Sequence, residues 1–134
     1  MRTHFLNKLP LSGKRAGLEA FPDFDFYKLS RVISLLVEWA ESGAEIVLIA
    51  TYQDAATSRA ADVTLRFRGV QHAVLPKISP ILFLSELEIE EIRSDQLEGT
   101  NYRTKEFCEG GLEVMSSDVV IEAVTPLRMM AGSS

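Results

Sequence analysis

Residues 23–43 read DFDFYKLSRVISLLVEWAESG, and the fold class turns on them. Phe26, Leu29, Ile33, Leu36, Val37 and Ala40 recur mostly at spacings of three and four, the mark of one apolar helix face. Asp23 or Asp25 stands where a side chain accepts hydrogen bonds from the free amides of a first turn. Gly43 suits the left-handed residue that closes a last turn. Val32, Leu35 and Trp39 widen the stripe, so a helix of about eighteen residues is expected to lie across a sheet. On this reading Ile33, Leu36 and Trp39 pack against Val47, Ile49, Leu65 and Phe67.

Strands are expected to follow. Residues 45–52, EIVLIATY, are rich in β-branched side chains and apolar on both faces, as in a central strand. In DVTLRFR, residues 62–68, Val63, Leu65 and Phe67 share one face while Thr64, Arg66 and Arg68 share the other. Gly69 marks a bulge before 70–75, and Pro76 and Pro80 break the strand. In FLSELEIEEIRSDQLEGTNYRTKEFC, residues 83–108, Leu87 and Ile89 face a core while Glu88 and Glu90 face water. The alternation slips at Glu91 and Ile92, which points to a bulge or a strand end. Turn residues lead to a strand over 102–108, and Glu109-Gly110-Gly111 turns into 112–115. Ser116-Ser117-Asp118 reads as a further turn before a last strand at 119–124.

Residues 1–22 show no period and read as an irregular arm that Phe5, Leu9, Leu11 and Phe21 dock on the core, with a short edge strand open over 4–9. Residues 126–134 read as a frayed tail. The expectation is one domain over 1–134, of α+β class: one long N-terminal amphipathic helix packed on a mainly antiparallel sheet of five to six strands.

Composition narrows function. The chain has 134 residues, 46% of them apolar and 25% charged, with net charge −5. That charge disfavours nucleic acid and anionic membranes and favours a basic protein partner. Cys108, the single cysteine, excludes an internal disulfide and a cysteine-cluster metal site, and points to a reducing compartment. No stretch is long and apolar enough for a membrane helix, and the first residues lack the apolar core of a secretory signal, so a cytoplasmic protein is expected. His4 and His72 have no second ligand at metal spacing. With no serine elbow, dinucleotide glycine motif or phosphate-binding loop, neither a cofactor nor enzymatic activity is expected.

The most distinctive chemistry is acidic. Glu86, Glu88, Glu90, Glu91, Asp95 and Glu98 fall within thirteen residues. They read either as a docking face for a basic protein or as a solvated strand face that discourages edge pairing. Glu88 and Glu90, about 7 Å apart on one strand face, have the separation of a glycosidase pair. Nothing beside them forms the desolvating cleft such a pair requires. Arg66, Arg68 and Arg103 would form a basic stripe, with cross-strand pairing to glutamates as its ordinary role.

VTLRFRGVQHAVLP, then LSELEIEEIRSDQLEGTNYRTKEF, a Gly-Gly turn and a valine-rich final strand resemble small bacterial immunity proteins of polymorphic and contact-dependent toxin systems. The resemblance covers residues 62–124. It implies an intracellular protein that binds and blocks a cognate toxin, often a basic nuclease. Two other classes stay open: an enzyme or small-ligand protein with a pocket between helix and sheet, and an assembly subunit that pairs strands at a sheet edge. The oligomeric state is not set by the sequence.

Overall fold

A computed structural model describes residues 2–41, 43–76, 81–92, 100–106 and 111–127. Among these, seven strands form one antiparallel sheet. They are β1 (Arg2–Thr3), β2 (Leu29–Ala40), β3 (Gly43–Asp54), β4 (Arg59–Val74), β5 (Leu87–Glu91), β6 (Tyr102–Glu106) and β7 (Glu113–Pro126). Their order is β1-β5-β6-β7-β4-β3-β2. The one described α-helix, α1 (Lys14–Ala20), has seven residues.

The long helix expected over residues 23–43 is a strand. Two bulges explain the misleading period. Leu29 and Arg31 face Tyr52 and Thr51, and Val32 and Ser34 face Ala50 and Ile49, so β2 twice spends two residues against one of β3. The residues opposite the buried positions Tyr52, Ala50, Leu48 and Ile46 are therefore Leu29, Val32, Leu35 and Val37. Their spacings are three, three and two, close to a helical period although every residue is extended. Ile33, Leu36 and Trp39, expected in the core, are 53%, 51% and 80% exposed. Asp25 does cap a turn, but of the short 3-10 segment Phe26–Lys28.

The later strands are longer than the turn residues imply. Ser116, Ser117 and Asp118 do not form a turn; they lie inside β7. Here β4 and β7 bend together. Gly69 takes φ +61, and a Cβ there would come within 2.1 Å of Ser117 Oγ. Ser117 Oγ in turn donates to the Arg68 carbonyl at 3.0 Å. The register shift between Val70 and His72 falls at the same place. The slip at Glu91 marks the end of β5.

The sheet curls until its ends meet at one corner. Residues 82–84 run beside the start of β2, with Val32 N donating to Leu82 O at 2.9 Å, and β5 begins shortly after. The N-terminal arm fills the enclosed face. Leu6, Leu9, Leu11, Phe21, Phe24 and Phe26 join Tyr52, Val63, Leu65, Phe67, Leu87 and Ile89 in one buried cluster. The arm is thus more than a docked loop: β1 pairs with β5, and residues 4–6 bond to 24–26. Ser12 accepts from Ile121 N, and Gly13 at φ +73 lies where any Cβ would strike the Ile121 carbonyl.

Candidate functional site

β5 presents the carboxylates in the alternation its sequence implies. Leu87 and Ile89 are fully buried, while Glu88 and Glu90 stand on the opposite face, across from Lys105 and Arg103 of β6. Glu86 precedes the strand with φ +57, and Glu91 ends it. The fold therefore gathers Glu86, Glu88, Glu90 and Glu91 on or beside one strand. Asp95 and Glu98 lie outside the described residues, as does Cys108.

Cations from β1 and β6 meet this face. Glu88 Oε1 lies 2.9 Å from Arg2 Nε, and Glu90 Oε1 lies 3.3 Å from Arg103. Arg103 Nε also sits 3.6 Å from Glu113. Arg2, Glu88, Glu90, Arg103 and Lys105 line a pit of about 70 Å³, in which charges of both signs alternate. Cross-strand pairing is thus part of what these glutamates do, and Arg103 takes the role expected of the basic stripe.

Glu88 is also the end of a polar chain that the sequence does not announce. Tyr27 donates its hydroxyl to the second Glu88 oxygen, and that bond, with burial, pushes the phenol up to about 12. The His4 ring stacks on Tyr27 at 3.7 Å, and His4 Nδ1 lies 2.6 Å from Asp25 Oδ1. Asp25 Oδ1 also accepts from Tyr27 N, while Asp25 N donates to the Tyr52 hydroxyl. Burial pushes Tyr52 up to about 12 as well. This chain clasps the arm to β5 and β3. No nucleophile stands on the His4–Asp25 pair among its named contacts, and no described group of three His, Cys, Asp or Glu gathers for a metal.

The convex face holds a second acidic cluster. Arg66 contacts Glu122 at 2.5 Å, Glu45 at 2.7 Å and Glu38 at 3.4 Å. The guanidinium holds the Glu122 carboxyl below the usual carboxylate range, and the carboxylates raise Arg66 in return. Glu38 and Glu45 face each other across the β2–β3 hairpin, whereas Glu122 comes from β7, far along the chain, and reaches them through strand register. Nearby, Ile33, Ile81, Phe83 and Leu127 border an open groove of about 540 Å³ whose floor includes Thr51 and Asp62. Sequence reasoning missed this surface because it placed Ile33 in the core.

No protein-family model, curated protein or solved structure matches the chain. Among the described residues, no helix is long and apolar enough to cross a membrane.

Proposed function

We propose that the chain is a non-enzymatic acidic binding protein, an immunity protein that neutralises a cognate bacterial toxin by protein–protein contact in the cytoplasm. The observation that carries this reading is the gathering of carboxylates on and beside β5, of which Glu88 and Glu90 face away from the core. Glu86, Glu88, Glu90 and Glu91, with Asp95 and Glu98 in the sequence that follows, are the partner-facing residues. Arg2 and Arg103 hold Glu88 and Glu90 in fixed positions. A basic partner meets carboxylates already ordered, which lowers the entropy lost on binding. The same pairing limits what each carboxylate contributes, because a partner cation must compete with a resident one. The net charge of −5 adds long-range attraction, which mainly raises the association rate.

The test is co-expression with each candidate toxin domain encoded by the genes neighbouring this one. A toxin that stops growth alone should be tolerated with this chain, and the two should form a one-to-one complex. Reversing Glu90 and Glu91 to lysine should slow association roughly tenfold or more, and salt should slow the wild-type rate. Continued growth arrest, with no complex formed, refutes the function. Unchanged association of the double variant moves the docking surface elsewhere.

A further inference from the structure

One row of paired residues crosses the open groove beside β2. Phe83 faces Arg31, Arg31 faces Thr51, and Thr51 faces Asp62. Residues paired across strands point to the same side, so all four stand on the convex face, and all four line the groove. The row carries opposite charges that do not meet. Arg31 forms no ion pair or side-chain hydrogen bond with any described residue. Asp62 Oδ1 accepts from Thr51 Oγ1 at 3.2 Å, and its second oxygen has no partner among the described residues. Gln53, also in the groove, leaves its carboxamide unbonded among them. Apolar side chains close the two ends of the row. Ile33, Ile81 and Phe83 stand at the β2 edge, and Leu127 stands beyond β4, where its amide donates to Ala60 O. They remain 53%, 51%, 55% and 40% exposed.

We propose that this groove binds a short apolar peptide with both ends free, two residues long and laid across the strands. Its ammonium meets the open oxygen of Asp62, and its carboxylate meets the Arg31 guanidinium, whose fork matches a carboxylate. Its first side chain lies against Leu127 and its second against Ile33 and Phe83. The length follows from the row. Arg31 and Asp62 are two strands apart, ~10 Å at the usual strand spacing. Side chains stand roughly perpendicular to a sheet, so their charged ends keep about that separation. A free amino acid carries both charges on one carbon and reaches only one end. Two extended residues span ~7 Å, and a hydrogen bond of about 2.9 Å completes the distance. The Gln53 carboxamide both donates and accepts, which suits the peptide group between the ends. The groove volume of about 540 Å³ is that of a small-ligand site. A charged ligand side chain would lie unpaired against Leu127 or Phe83, so apolar side chains are preferred. The groove shares no residue with the pit beside β5, so this binding and toxin neutralisation are tested separately.

The experiment titrates leucyl-leucine into the full chain. Calorimetry should give a dissociation constant between about 10 μM and about 1 mM, the range open to a ligand of this size. The backbone amides of Arg31, Thr51 and Asp62 and the side-chain amide of Gln53 should shift in NMR spectra with the same constant. Three comparison ligands need no variant of the protein. Leucyl-leucine with both ends blocked lacks the charges, free leucine lacks the span, and glycylglycine lacks the apolar side chains. Each should bind about tenfold or more weakly. Arg31→Gln and Asp62→Asn should each weaken leucyl-leucine about tenfold or more, with circular dichroism confirming that both fold. Reversing Glu90 and Glu91 to lysine should leave this binding unchanged. Absence of heat and of shifts up to about 10 mM leucyl-leucine overturns the proposal. Equal binding of the blocked peptide overturns it by making the groove a merely apolar patch, and equal binding of leucine overturns the span. Wild-type affinity in both Arg31→Gln and Asp62→Asn overturns it as well.

Discussion

Leu36 and Leu48 lie on neighbouring strands, and truncating each to alanine separates the strand from the helix that the sequence implies. Leu48 is 1% exposed and lies between Leu35 of β2 and Leu65 of β4. Leu48→Ala removes buried apolar surface and leaves a cavity that a sheet cannot easily collapse, a loss of about 2–5 kcal/mol. Leu36 is 51% exposed on the convex face, opposite Val47. Leu36→Ala removes about three CH₂ equivalents, worth ~0.8 kcal/mol each when fully buried. Half of that surface is already wet and the gap opens to solvent, so the loss should be about 1 kcal/mol or less. Urea unfolding followed by circular dichroism reads the difference. With a slope of about 1–3 kcal/mol per M, Leu48→Ala should lower the midpoint by roughly 1–3 M, and Leu36→Ala by a fraction of that. A helix that buried Leu36 would make the two losses equal. That outcome refutes the strand assignment.

Two further outcomes follow from the fold. Gly69→Ala should destabilise by about 1–3 kcal/mol in the same urea assay, because the residue needs φ +61 and its Cβ would meet Ser117. An unchanged midpoint would show that the shared bend of β4 and β7 does not depend on this residue. Tyr27 and Tyr52 titrate near 12 when folded, against 10 when unfolded, so the folded state favours the protonated phenols. Their stabilisation is complete below pH 10 and is lost as pH rises toward 12. Tyr27 and Tyr52 should resist ionisation in absorbance titrations of the native protein and ionise near pH 10 in denaturant. Ionisation of both near pH 10 in the native protein would contradict the Tyr27–Glu88 contact and the burial of Tyr52.

Strand signals were legible where residues alternate without interruption. Val63, Leu65 and Phe67 face the core as their spacing implies, and so do Leu87 and Ile89 beside the outward Glu88 and Glu90. The end of β5 at Glu91 was legible for the same reason. The candidate site was legible as composition, since four of its six carboxylates do lie on or beside one strand. Its partners were not. Arg2, Tyr27 and Arg103 reach the site from β1, a 3-10 turn and β6, and nothing local marks them as neighbours.

What the sequence determined by itself is therefore what one strand face requires of its own residues: alternation, charge and the positions of breaks. Tertiary structure decided the rest, most sharply at β2. Two extra residues at its bulges stretch the inward spacing from two to three, and only pairing with β3 shows that those residues are extended. The arm is the second such case. Leu6, Leu9, Leu11 and Phe21 follow no period because they fill irregular space inside a curled sheet, and that space exists only once distant strands have closed around it.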